Sequence, residues 1–106
     1  MEILFEKKYL RELYENKKTR SKKHRFQPSV VNKYIQTIDK LRVAKNTEEL
    51  YPIRSLNYKK LIGDKLGLES VRVDGKYRLE FITTTEGEEP ESITICSIVE
   101  LSNHYK

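Results

Sequence analysis

One cysteine, two histidines, four glycines and three prolines in 106 residues leave several kinds of protein out of reach. A lone Cys96 permits no internal disulfide and fits a reducing compartment, the cytoplasm. One cysteine with two histidines argues against a structural zinc site, and no ligand spacing for any metal is present. No stretch approaches the ~20 apolar residues that a membrane span needs. Met1-Glu2-Ile3-Leu4-Phe5-Glu6 has neither the basic start nor the apolar length of a signal peptide. There are no repeats and no Pro/Gly-rich linkers, so residues 1–106 read as one domain.

What the chain has is charge: 35% of its residues are charged, for a net +5. Residues 1–65 hold 17 Lys/Arg against 8 Asp/Glu, and residues 66–106 hold 4 against 8. That asymmetry points to a surface that meets a polyanion. A membrane surface fits less well, because no strongly apolar face backs the basic segment. The basic segment, from Asn16 to Arg25, carries Lys17, Lys18, Arg20, Lys22, Lys23 and Arg25 without one apolar residue. It reads as a loop or frayed helix end that contacts RNA, docks an acidic partner or is simply solvated, with the RNA contact favoured.

Ile3-Leu4-Phe5 either forms a first strand or opens the first helix. Leu10, Leu13 and Tyr14 at helical spacing predict a helix from Lys8 to about Asn16. Gln27-Pro28-Ser29 predicts a second start, capped by Ser29, followed by Val31, Tyr34, Ile35, Ile38, Leu41 and Arg42 along one face to about Ala44. Asn46 to Leu50 predicts a capped turn. Beyond Val71 the period becomes two. Val71 and Val73, then Tyr77, Leu79 and Phe81, flank Asp74-Gly75 as a hairpin. Only a three-residue loop, Asp74 to Lys76, pairs Val73 with Tyr77 and Val71 with Leu79; a slip of one would bury an arginine. The same register sets Arg72 opposite Arg78, a like-charge pair that an anion such as phosphate would relieve. Ile93, Ile95, Ser97, Val99 and Leu101 are expected to share one face of a last strand, with Cys96 half-buried on the other. Helices followed by an antiparallel meander give an α+β class.

The stretch Gly67-Leu68-Glu69-Ser70-Val71-Arg72-Val73-Asp74-Gly75-Lys76-Tyr77-Arg78-Leu79-Glu80-Phe81 resembles the core motif of HigB-like toxins of the RelE/ParE superfamily. Leu61-Ile62-Gly63-Asp64 is similar to that family's Leu-x-Gly-Asp stretch, and Ile98 to Tyr105 to its closing strand. The resemblance implies a RelE-like fold: two N-terminal helices packed on a twisted antiparallel sheet of three to four strands. It further implies ribosome-dependent cleavage of messenger RNA in the A site, and a HigA-type helix-turn-helix antitoxin that alone mediates contact with operator DNA. The family's phosphate-facing arginines carry over to Arg72 and Arg78, and its C-terminal histidine to His104. Two departures stand out. Lys59, beside Tyr58 and Lys60, occupies the place where many members have histidine, and Ser102-Asn103-His104-Tyr105 replaces an aspartate-tyrosine-histidine ending.

In such a reaction the ribose 2′-hydroxyl attacks phosphorus and expels the 5′-oxygen. One group must take a proton, one must give one, and a cation must steady the charge on phosphorus. Arginine suits the last task. His104 is the acid–base candidate, since a free imidazole titrates near pH ~6.5. Lys59 or Lys60 can steady charge or act as base, and Tyr105 can stack on a base or assist the transfer; no metal or cofactor is needed. Two rivals share the fold: a degenerate toxin that binds antitoxin without cutting, and a ParE-like gyrase inhibitor.

Overall fold

The computed structural model describes residues 1–65 and 67–103. They run β1 (Glu2–Phe5), α1 (Lys8–Asn16), α2 (Pro28–Val43), β2 (Lys59–Lys60), β3 (Glu69–Arg72), β4 (Arg78–Glu86) and β5 (Ile93–Ser102), with short 3-10 turns between them. The sheet order is β1-β5-β4-β3-β2, in which β1 lies parallel to β5 and the other neighbours are antiparallel. This is the α+β architecture expected, with two N-terminal helices against a sheet. The sheet has five strands rather than three or four, and it is mixed. Ile3 to Phe5 is a strand, and the two-residue β2 is too short to leave a period in the sequence.

Both helices form where apolar spacing requires. α1 buries Tyr9, Leu10 and Leu13, and α2 buries Val30, Val31, Tyr34, Ile38 and Leu41, with the Tyr34 hydroxyl bonded to the Leu10 carbonyl at 2.7 Å. The start of α2 differs from the expected cap. Gln27 is the N-cap, no side chain caps it, and Pro28 is the first helical residue. Proline's fixed φ is already helical and its missing N–H needs no partner, so the helix begins two residues early and Ser29 falls inside it. Asn46 does cap the turn after α2, accepting from the Glu49 N–H at 3.3 Å.

The helices cover one sheet face, where Val71, Leu79, Phe81, Cys96, Ile98 and Leu101 complete the core. The face of β5 departs from simple alternation. A bulge between Glu80 and Phe81 matches Glu80 to Glu100 but Phe81 to Ile98, so one extra residue reverses the parity of β5. Cys96 and Ile98 therefore point into the core with Leu101, while Ile93 stays exposed and Ile95, Ser97 and Val99 are half-buried. Cys96 is fully buried, and that burial pushes its thiol up to about 12. Since the thiolate is the reactive form, a thiol reagent at pH 8 is expected to label the folded chain only as fast as it unfolds. The denatured chain should label at once, and equally fast labelling of both would contradict the burial. No helix among the described residues is long and apolar enough to cross a membrane.

Candidate functional site

The other sheet face carries the polar residues, and strand register orders them into two rows. Lys59 pairs with Ser70, Ser70 with Glu80, and Glu80 with Glu100. In the next row Arg72 pairs with Arg78, and Arg78 with Ser102. Cross-strand partners share a face, so one surface brings together two arginines, a lysine, two serines and two carboxylates. Lys60 pairs instead with Glu69 on the opposite face. The two lysines that sequence could not tell apart are thus separated by the sheet.

Ser70, Arg78, Glu80 and Ser102 are buried, and a buried charge needs a partner. Glu80 is paired with Lys65, which arrives from the turn opened by Gly63 at φ +71. Arg78 sends Nε to Ser70 Oγ at 3.0 Å and Nη2 to the Asn57 carbonyl and, at 3.4 Å, to the Ser70 carbonyl. Arg72 is exposed and bonds through Nε to the Asp74 carbonyl at 3.2 Å. The expected register of Arg72 and Arg78 is present, yet the guanidinium groups part: one lies along β3 inside the protein and one faces solvent. Asp74 also sets the hairpin loop. Its Oδ1 accepts from the N–H groups of Lys76 and Tyr77, each at 2.8 Å, so an aspartate and not Gly75 makes the turn.

Where β1 ends, α1 takes over the edge of β5. The Leu101 N–H donates to the Tyr9 hydroxyl at 3.1 Å, and that hydroxyl donates to Glu100, which also pairs with Lys7 at 2.9 Å. Burial pulls the Glu100 carboxyl up, but the bonds from Tyr9 and Lys7 outweigh it and hold the group below the ordinary carboxylate value. On Tyr9 lies His24, its ring stacked at 3.6 Å between centroids and only 4° from parallel, with Nδ1 2.7 Å from Ser21 Oγ. The stack pins the basic segment to the sheet. Lys23, His24 and Arg25 then border a hollow with Tyr77, Ser102 and Asn103, at the end of the arginine row.

The family model for the RelE-like toxin HigB of type II toxin–antitoxin systems matches residues 3–91. The chain belongs to the HigB-like toxin family. As a type II toxin it has an antitoxin as its partner. The matched span begins within β1, takes in both helices, the basic segment and β2 to β4, and stops before β5. A solved structure, the YoeB/ParE toxin from Agrobacterium tumefaciens, shares the fold with a TM-score of 0.56 at 18% identity, over 99% of this chain and 100% of that one. No curated protein matches the chain.

Within this HigB-like toxin the expected site residues fall into three groups. Arg72, Arg78 and Lys59 share the polar face, and Lys23 and Arg25 stand at its end. Lys60 is on the far face, beside Glu69. Lys17, Lys18, Arg20 and Lys22 are exposed along the basic segment, with Lys17 closing α1 in the left-handed conformation at φ 62. His104 and Tyr105 lie outside the described residues. Sequence reasoning passed over His24, whose only signal was a histidine among six cations. It also passed over Ser70 and Glu80, which sit in the toxin motif but look like solvent-face residues in the alternation. Glu69 was missed too: on the core face it accepts from the Tyr58 hydroxyl and from the Thr83 N–H and hydroxyl, at 3.1 and 2.6 Å for Thr83.

Proposed function

We propose that this toxin is a ribosome-dependent endoribonuclease, cutting messenger RNA in the A site by attack of the 2′-hydroxyl on the neighbouring phosphorus. The observation that carries the reading is the row of Arg72, Arg78 and Ser102 running into the hollow bordered by Lys23 and Arg25. Exposed Arg72, Lys23 and Arg25 thus lie along one face with the buried Arg78 between them, an arrangement suited to a phosphodiester strand. Arg72 and Arg78 steady the charge that builds on phosphorus, Lys59 supports them from the adjacent row, and His104 exchanges protons with the reacting oxygens, aided by Tyr105. No step calls for a metal ion. The exposed cations from Lys17 to Lys22 hold ribosomal RNA. The protein acts in the cytoplasm as a single domain, and a HigA-type helix-turn-helix antitoxin silences it and links it to operator DNA.

A second reading draws support from Arg78, whose guanidinium is already occupied by Ser70 and Asn57. In that reading the arginine is a strut, and the chain binds antitoxin without cutting. Induced expression in bacteria with mapping of messenger RNA 5′ ends separates the two. In-frame cuts and growth arrest are expected, reversed by the antitoxin; arrest with intact messages, or no arrest, would sink the nuclease reading. The split of the lysines adds a sharper check. Lys59→Ala is expected to slow cutting roughly a hundredfold, whereas Lys60→Ala, on the opposite face, should leave the rate nearly unchanged. Equal losses in both would mean that the polar face is not where the RNA lies.

A further inference from the structure

The hollow at the end of the arginine row measures about 300 Å³ and is bordered by Lys23, His24, Arg25, Tyr77, Ser102 and Asn103. That volume is at the lower end of small-ligand sites and suits one nucleotide unit. Lys23 and Arg25 are exposed and make no ion pair among the described residues, so two uncompensated cations stand at one mouth. One carboxylate, Glu100, also lines the hollow, and it is already engaged by Lys7 and Tyr9.

His24 is the best-fixed side chain of the group. Its ring rests on buried Tyr9, which is itself anchored through its hydroxyl to Glu100 and Leu101, and Nδ1 is held by Ser21. Nε2 makes no hydrogen bond among the described residues. An imidazole held this way loses little freedom when a ligand arrives.

We propose that this hollow is a nucleotide subsite. It seats one unit of the RNA strand, with Lys23 and Arg25 on the phosphate and His24 bonding to it through Nε2. The inference rests on the nuclease reading for its substrate class and adds where the strand goes after it leaves the arginine row. Ser102 belongs to both the row and the hollow, so successive phosphates of one strand reach both. RNA is favoured over an acidic protein segment because the hollow has room for about one nucleotide unit and shares Ser102 with the row of arginines.

The test is an amide NMR titration of the full chain with a 2′-O-methyl trinucleotide, which cannot be cut and needs no ribosome. Shifts are expected at residues 23–26, 77 and 101–103. Affinity should fall about tenfold in a Lys23→Ala/Arg25→Ala double variant, with a shallower salt dependence. His24→Phe keeps the stack on Tyr9 and removes both nitrogens, so it should weaken binding severalfold while the loop amides hold their positions. Shifts confined to β3 and β4, or unchanged affinity in both variants, would overturn the subsite. So would loss of antitoxin binding with RNA binding intact, which would make the hollow a protein interface. A wild type that seats the trinucleotide but leaves messages whole would keep the subsite and sink the nuclease.

Discussion

Arg78→Ala is expected to abolish cleavage and to destabilise the fold together, while Arg72→Ala abolishes cleavage alone. The two arginines are cross-strand neighbours with opposite surroundings. Removing Arg78 strips partners from the Asn57 carbonyl, the Ser70 carbonyl and the Ser70 hydroxyl. Buried acceptors and donors left unmet cost roughly 1–3 kcal/mol, a visible fraction of the ~5–15 kcal/mol that holds a domain of this size together. Arg72 is exposed and holds one loop carbonyl, so its loss should change stability by no more than about 0.5 kcal/mol. For cutting, loss of one charge-steadying donor is worth about 100- to 1000-fold. Both variants should show that loss when assayed well below their melting temperatures. Purifying Arg78→Ala with its antitoxin gives a control, since a bound partner favours the folded form. If the folded Arg78 variant cuts normally, the guanidinium is a strut between β3 and the Asn57 turn. If Arg72→Ala also cuts normally, the arginine row is not the phosphate site.

How much of this was legible in the sequence depends on how local the cause is. The bounds of α1 and the end of α2 follow from apolar spacing within one helix face. The hairpin register followed from matching Val71 to Leu79, and its turn from Asp74, both a few residues apart. The parallel β1–β5 pair was not legible, because it joins residues more than 90 apart in the chain. Nor was the bulge opposite Phe81, which turns Cys96 and Ile98 inward by adding a single residue. The site shows the same limit. Motif resemblance marked Arg72 and Arg78 but could not say that one is buried and the other exposed, because that depends on Lys65 and Asn57 folding back over the polar face. His24 becomes a candidate only through Tyr9, a residue whose helical spacing announced nothing except packing.

Alkaline solution is expected to unfold this toxin steeply, beginning near pH 9 and completing by about pH 12. Four tyrosines and the cysteine are held above their ordinary values, Tyr14 chiefly by its bond to Asp39 and the other three tyrosines more strongly. Burial does it for Cys96 and Tyr34; burial with a carboxylate neighbour does it for Tyr9, beside Glu100, and Tyr58, beside Glu69. The sign follows from proton counting. In the unfolded chain the thiol lets go of its proton near pH 9 and the phenols near pH 10, whereas the folded chain keeps them. Between those limits the unfolded state binds fewer protons, so stability is intact below pH 9 and falls as pH rises. Each fully buried group contributes a slope of about 1.4 kcal/mol per pH unit. Cys96 and Tyr34, both fully buried, together remove about 2.8 kcal/mol per unit above pH 10. Tyr9 and Tyr58 act in the same direction. Urea midpoints measured from pH 7 to 11.5 read this slope directly. Tyr34→Phe should lower stability at pH 7 by about 1 kcal/mol, through the lost bond to Leu10, and yet flatten the alkaline limb. The two curves should therefore converge, or cross, near pH 11. Cys96→Ala should remove the slope between pH 9 and 10 and about half of the slope these two groups give above pH 10. A midpoint flat to pH 11.5 would mean that these hydroxyls and the thiol reach water in the folded state, and with it that Tyr9 is not the anchored platform on which His24 rests.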